Sequence, residues 1–176
     1  MSIAELITPL TPSLNVILGT LIAMLGARLQ FWSSERIQRA RLKADKLERA
    51  YALCQKISEG YKREIINAKR HLPAHPDKYR ELRQHPGSEI SELKMLIKGY
   101  VPRLSACLQQ VDNGHKPLKE AFDKIDNNPS TDASFNGTDF PALFQLWEKN
   151  LNVLNTGLID IKRGIEDDLL MLTKSK

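Results

Sequence analysis

Arginine and histidine recur at one spacing in the middle of this chain. Arg70 and His75 form the pattern R-x4-H, and Arg80 and His85 repeat it ten residues later. An imidazole can exchange a proton with the 2′-hydroxyl or the leaving oxygen of an RNA phosphodiester, and a guanidinium can stabilise the charge that develops on the phosphoryl group. Either pair is therefore a candidate for RNA cleavage without a metal. The alternative is a solvated basic loop whose histidines are simply exposed.

The segment around these pairs is basic. Between residues 62 and 83, seven basic residues stand against three acidic ones, a balance of +4 that would attract phosphate groups. Basic charge beside a membrane more often indicates contact with anionic lipid than with nucleic acid. The chain contains no phosphate-binding loop, GxSxG, HExxH or paired zinc-ligand motif. The sequence therefore predicts neither a metal nor a cofactor.

Helices are the elements that must position these residues. From residue 27 to residue 72 the chain has no proline and a single glycine, and its apolar residues follow a three-four alternation. This pattern predicts one long helix that continues from the N-terminal segment to about Leu72. Prolines and a glycine then interrupt the pattern between residues 71 and 87. Both histidine pairs fall in or next to this connection, which is predicted to contain one short helix at residues 78–84.

The next segment is also predicted to be helical. Ser88, followed by acidic residues, is a favourable start for a helix that reaches about Val111. Gly99 and Pro102 predict a kink in this helix. A shorter helix is predicted at residues 117–125.

The last helix begins near Pro141 and has the clearest repeat, after a polar loop at residues 127–137. Its apolar residues alternate by threes and fours over about four heptads; they are Phe144, Trp147, Leu151, Leu154, Leu158, Ile161, Ile165, Leu169 and Leu172. Cys54 and Cys107 have no metal-ligand spacing and are predicted to be reduced core residues. Residues 33–176 are therefore predicted to form an all-α cytoplasmic bundle of about four helices, HEPN-like at most.

An uncharged apolar run lies near the N-terminus, at residues 14–27. A membrane span needs about 20 apolar residues, and extension of the run to Leu10 and Trp32 reaches that length. Arg28 then lies inside the span, where its long side chain can reach toward the headgroups. The sequence thus predicts a transmembrane helix at Leu10 to Trp32 within a membrane segment of residues 1–32. A buried helix or an interfacial helix lying flat are the alternatives.

Basic residues follow this segment. Seven basic and three acidic residues occur from Arg28 to Arg49. By the positive-inside rule we expect a single-pass protein of the inner membrane, with the N-terminus outside and the C-terminal domain in the cytoplasm. A cleaved signal peptide would instead have basic residues ahead of its apolar run. The residues predicted to face lipid headgroups are Arg28, Arg36, Arg39 and Arg41.

Small residues recur along the same segment. Gly19, Ala23 and Ala27 form a small-xxx-small ridge, which permits close helix packing and self-association. A ring of such helices could enclose a pore with its small and weakly polar stripe inward. The residues predicted to face the pore or other copies are Asn15, Gly19, Ala23, Gly26 and Gln30. The alternative is an ordinary anchor in which the small residues are incidental.

An N-terminal membrane helix, an all-α cytoplasmic domain, a length of 176 residues and an R-x4-H element together resemble the small membrane accessory protein of type VI-B CRISPR systems. The resemblance implies a divergent HEPN-type motif at Arg70 and His75, or at Arg80 and His85. It also implies an oligomeric membrane pore in antiphage defence. An RNA-guided ribonuclease effector, or its RNA products, would then be the partner.

Three functions are compatible with these patterns. The first is a membrane-anchored, homo-oligomeric defence accessory that contacts lipid and forms or gates a pore, which depolarises the membrane. The second is a membrane-tethered helical scaffold or regulatory subunit without a pore, which would hold a partner helix against the apolar face of the last helix. The third is a HEPN-like ribonuclease that needs no metal.

Overall fold

The computed structural model describes residues 10–83, 86–126 and 139–174, with the side chains of residues 10–18, 76 and 126 outside the description. Every regular element within these ranges is helical, so the predicted all-α class is confirmed. The elements are α1 (Leu10–His71), α2 (Pro76–Leu82), α3 (Gly87–Tyr100), a 3-10 turn (Pro102–Leu104), α4 (Ser105–Asp126) and α5 (Phe140–Lys174).

Helix α1 is 62 residues long and ends one residue before the predicted position. The chain divides into two compact units, one that ends at Lys43 and one that begins at Ala44. We call them the N-terminal unit and the bundle unit. The sequence placed its domain boundary earlier, at residues 32 and 33.

The structure confirms the helical fold, but it does not support the membrane span predicted at Leu10 to Trp32. Where side chains are described, which in α1 begins at Gly19, no helix is both long and apolar enough to cross a bilayer. Residues 10–18 of the predicted span lie outside those described side chains.

The bundle unit has one apolar core to which all five helices of the bundle contribute. The side chains recur at helical spacing, so each helix turns one face inward. The buried core residues include Leu53, Ile57 and Tyr61 of α1, Tyr79 of α2, Ile90, Leu93 and Ile97 of α3, Val111, Leu118 and Phe122 of α4, and Trp147, Leu154 and Ile161 of α5. Cys54 is also buried and Cys107 is half-buried, and both are free thiols. This core fixes the positions of the polar residues described below.

Helices α4 and α5 approach each other unusually closely. A Cβ atom on Gly114 would lie 2.5 Å from the backbone nitrogen of Leu154, and one on Gly157 would lie 2.9 Å from the backbone nitrogen of Val111. Contacts this short are closer than side chains allow, so only glycine fits at these positions. The last helix therefore packs almost backbone to backbone on α4.

Two predicted boundaries differ from the structure. The segment predicted as one kinked helix is broken, because α3 ends at Tyr100 and a 3-10 turn precedes α4. Pro102 explains the break, since proline disfavours helical geometry in the residue before it. The predicted shorter helix at residues 117–125 is wrong, because α4 runs through Pro117. Burial of Leu118 and Phe122 on α5 outweighs the local cost of the proline, which is about 3 kcal/mol in a helix interior.

The remaining predicted elements agree or fall outside the description. The short helix predicted at residues 78–84 is α2, two residues earlier. The last helix begins at Phe140, one residue before Pro141, and its central apolar positions are buried as predicted. The loop predicted at residues 127–137 lies outside the described residues.

Candidate functional site

The first R-x4-H pair lies at the surface where α1 ends. Arg70 and His75 are both exposed, and neither side chain has a hydrogen bond or ion pair with a described residue. The backbone N–H of His75 donates to the carbonyl of His71 over 2.6 Å, which closes a tight turn between α1 and α2. The two candidates are thus held near each other by the backbone rather than by a shared contact.

His71 lies between the members of this pair. Partial desolvation lowers the pKa of His71, and the positive charges of Lys78 and Arg70 lower it further. A histidine with a lowered pKa is neutral at pH 7 and can accept a proton. Arg70 and Lys78 therefore give the turn a positive charge beside the neutral imidazole of His71, which suits an anion better than a cation.

The structure describes only one member of the second R-x4-H pair, Arg80. His85 lies outside the described residues. Arg80 donates hydrogen bonds to Asp77 over 3.0 Å and to the backbone carbonyl of Ile125 over 3.3 Å. These contacts join α2 to the last turn of α4, so Arg80 has a structural role whatever else it does.

A buried polar cluster lies where α2 meets α1 and α4. Glu64 of α1 is only 2% exposed. Tyr79 of α2 donates its hydroxyl to Glu64 Oε1 over 2.8 Å. The guanidinium of Arg83 lies 3.6 Å from the same carboxylate and also 3.6 Å from a carboxylate oxygen of Asp123. Arg83 stacks over the ring of Phe122 at 5.6 Å and donates to its backbone carbonyl. We call Glu64, Tyr79 and Arg83 the buried triad.

A second tyrosine and a histidine extend the same region. The hydroxyl of Tyr61 is hydrogen bonded to Nδ1 of His115, and its ring stacks on Phe122 with the ring centres 6.4 Å apart. Burial, followed by the negative charge of Glu64, raises the pKa of both Tyr61 and Tyr79. Both phenols therefore remain protonated at neutral pH, and that of Tyr79 donates its hydrogen bond to Glu64.

The geometry of the buried triad indicates a structural role. Glu64 and both tyrosines are almost fully enclosed, so a polymeric substrate cannot reach the carboxylate. The negative charge of Glu64 is balanced by Arg83, and each buried polar atom costs less when it is hydrogen bonded. The triad ties α2, and with it the basic turn, to α1 and α4.

Sequence patterns did not identify the triad, although one signal was present. Glu64 lies three residues after Tyr61, at a position that the three-four alternation of α1 turns toward the core. A charged residue at such a position predicts a buried partner of opposite charge. The partner, Arg83, is distant in sequence and follows a short helix, so spacing alone could not identify it.

The N-terminal unit presents its predicted functional residues to solvent. Gly19, Ala23, Gly26 and Gln30 are exposed on α1, and the side chain of Asn15 lies outside the described ones. A Cβ atom on Gly19 or Gly26 would meet nothing within 4 Å. The two glycines predicted to face a pore or other copies therefore have no neighbour among the described residues that requires a small side chain.

The arginines predicted to face lipid are also exposed. The Arg28 guanidinium lies 5.9 Å from the ring centre of Trp32. Arg39 pairs with Glu35 over 2.8 Å, one helical turn away. Arg36 and Arg41 extend from the same helix into solvent.

No family model matches this chain, and neither does any curated protein or solved structure. In the described part of the chain, no three histidine, cysteine or acidic side chains are grouped as metal ligands would be.

Proposed function

We propose that this protein is a membrane-anchored, self-associating effector whose N-terminal helix enters a lipid bilayer and there forms or gates a pore. The observation that carries the proposal is the exposure of large apolar side chains on α1. Seven of them are more than half exposed between residues 21 and 32; they are Leu21, Ile22, Met24, Leu25, Leu29, Phe31 and Trp32. A contiguous apolar surface of this kind is typical of a membrane or protein interaction site.

The distribution of side chains around the helix supports a bilayer with several copies. At 3.6 residues per turn, the seven large apolar residues occupy one half of α1. Gly19, Ala23, Gly26 and Gln30 occupy the opposite half. Lipid would cover the apolar half, and the small half would allow close approach of other copies or line a pore.

The charged residues support the same orientation. Arg36, Arg39 and Arg41 follow the apolar stretch and are exposed, as expected for side chains at an anionic headgroup layer. Arg28 is close enough to Trp32 for a cation–π contact, and both residue types are favoured in the interfacial layer. We infer a single pass of the inner membrane with the bundle unit in the cytoplasm.

Membrane insertion can be tested by flotation of the full-length protein with vesicles that contain anionic lipid. We expect Leu21→Glu with Leu25→Glu to abolish flotation. The matched control is Ile66→Glu with Met95→Glu, because these two bundle residues are equally exposed and apolar. Flotation lost equally in both variants, or absent in the wild type, would overturn the proposal.

Self-association can be tested by measuring the mass of the protein in detergent and the leakage of dye from vesicles. Gly19→Leu with Ala23→Leu should keep flotation but lose the oligomer and the leakage. A strictly monomeric wild type would contradict the pore. Unchanged leakage in the variant would show that Gly19 and Ala23 do not pack the copies together, and absence of leakage in the wild type would favour the membrane-tethered scaffold instead.

The biological setting that the sequence resemblance implies is antiphage defence beside an RNA-guided ribonuclease. The corresponding measurement is membrane depolarisation in cells that express the protein with an activated effector. If Arg70→Ala with His75→Ala leaves depolarisation and RNA cleavage unchanged, the ribonuclease alternative is excluded for that pair.

A further inference from the structure

The bundle unit has a cleft between α3 and α4 that no part of the proposed membrane function uses. Its volume is about 360 Å³, within the range of small-ligand sites. Lys94 and Lys98 line it from α3, one helical turn apart. Gln109, Asp112, Asn113 and Lys116 line it from α4, spaced so that they share a face of that helix.

Positive charge is only partly neutralised in this cleft. Lys94 forms an ion pair with Asp112 across the two helices. Lys98 and Lys116 form no ion pair with any described residue. Lys98 and Lys116 line the same cleft, so their positive charges repel each other. Lys94 and Lys98 lie one turn apart on α3, where like charges are also unfavourable. A bound anion would remove that repulsion.

The other polar groups fit an anion that also carries neutral hydrogen-bonding atoms. Gln109 and Asn113 each have two amide donors and a carbonyl acceptor. A phosphate group would receive charge-assisted hydrogen bonds from the lysines, while the amides would bind a sugar or base. A cation is disfavoured, since the single carboxylate already pairs with Lys94.

We propose that this cleft binds a small phosphate-bearing ligand, with Lys98 and Lys116 contacting the phosphates and Gln109 and Asn113 contacting the remainder. The chemistry is shared by a soluble nucleotide and by the phosphorylated headgroup of a lipid. The cleft lies wholly in the bundle unit, so its occupancy is independent of membrane insertion.

The test is isothermal titration of the full-length protein with ATP, inorganic pyrophosphate and inositol trisphosphate as separate probes. We expect saturable binding of at least one probe. Preference for ATP would indicate a nucleotide, and preference for the inositol phosphate would indicate a lipid headgroup. Lys98→Glu with Lys116→Glu should weaken binding more than tenfold, because each lost charged hydrogen bond is worth about tenfold in affinity.

The matched control is Lys62→Glu with Lys119→Glu. These lysines are also exposed in the bundle unit, do not line the cleft, and change the net charge by the same amount. The control should bind within about twofold of the wild type once salt screens long-range attraction. Absence of saturable binding, or equal loss in the control, would overturn the proposal. Lys98→Gln and Lys116→Gln repeat the test without charge reversal, so a folding defect in the glutamate variant would not obscure the result.

Discussion

The two tryptophans of this chain show how differently its two regions use apolar side chains. Trp147 in the bundle unit is 0% exposed, whereas Trp32 in the N-terminal unit is 57% exposed. The bundle unit buries apolar residues on every helix, whereas the large apolar side chains described in the N-terminal unit are exposed. Since burial of apolar surface is the main source of folding free energy, the bundle can fold by its own contacts. The exposed apolar side chains described between Leu21 and Trp32 therefore add little to the folding free energy of the chain.

The largest expected effect comes from exchanging each tryptophan for alanine. Trp147→Ala removes ring contacts with Phe122 at 4.7 Å and Phe144 at 5.6 Å. It should lower the free energy of unfolding by about 3–5 kcal/mol. Trp32→Ala should change it by less than about 0.5 kcal/mol, yet weaken vesicle binding.

Urea denaturation followed by circular dichroism measures both tryptophan variants, because this signal does not depend on the residues exchanged. A similar loss of stability in the two variants would show that Trp32 is packed within the folded chain. Both units would then use their tryptophan to stabilise the fold.

Ion pairs provide the second contrast. Arg83 is 9% exposed and Glu64 2%, whereas Arg39 and Glu35 are 77% and 45% exposed. Glu64→Leu would leave a buried guanidinium with less compensation and should cost about 3 kcal/mol. Glu35→Gln should cost no more than about 0.5 kcal/mol.

The control for the buried pair is Glu64→Leu combined with Arg83→Met. Removal of both charges should recover part of the stability that the single variant loses. If the double variant is as unstable as the sum of the two single variants, the charges of Glu64 and Arg83 do not interact. Thermal unfolding at constant pH supplies all four values of the cycle.

Replacing a glycine with alanine should change the free energy of unfolding by less than Trp147→Ala or Glu64→Leu, and in opposite directions in the two units. Gly114→Ala forces a methyl group against the backbone of α5 and should destabilise the bundle by about 1–3 kcal/mol. Gly19→Ala meets empty space and should be neutral or stabilise the helix by up to about 1 kcal/mol, because alanine favours helix. Destabilisation by Gly19→Ala in the absence of lipid would contradict the exposed position of that residue.

The sequence predicted most of the helices because helical periodicity is a local property. The repeat of the last helix correctly predicted that Trp147, Leu154 and Ile161 lie in the core. The apolar spacing of α1 predicted the end of that helix to within one residue. The helix start predicted at Pro117 was wrong because local rules place helix boundaries at proline. The contact between α4 and α5, which overrides it, is made by residues far apart in sequence.

The candidate sites were predicted less well, for a related reason. R-x4-H selects residues that are close in sequence, and Arg70 and His75 do lie at one turn. The buried triad instead joins Glu64 of α1 to Arg83, just past the end of α2, and the cleft between α3 and α4 brings Lys98 and Lys116 together in the same way. Only the packing of the bundle brings such residues together.

The smallest expected effect concerns pH and the carboxylate of Glu89, near the start of α3. Hydrogen bonds from Lys56 and Ser88 lower the pKa of Glu89 to about 2. A carboxyl whose pKa is lower in the folded state stabilises the fold above its unfolded pKa, near 4.5, and loses this contribution as the pH falls toward 2. Glu89→Gln should therefore cost at most about 1 kcal/mol at pH 6, since Lys56 is largely exposed.

The difference between Glu89→Gln and the wild type should shrink steadily as the pH falls from 5 to 3. Unfolding by urea at several pH values measures it, with Glu166→Gln as a control for an exposed carboxylate that has no ion pair with a described residue. A difference that persists at pH 3 would mean that Glu89 acts through packing. A difference that disappears would show that the bundle unit also uses charge at its surface, whereas the exposed pair of Glu35 and Arg39 in the N-terminal unit adds little.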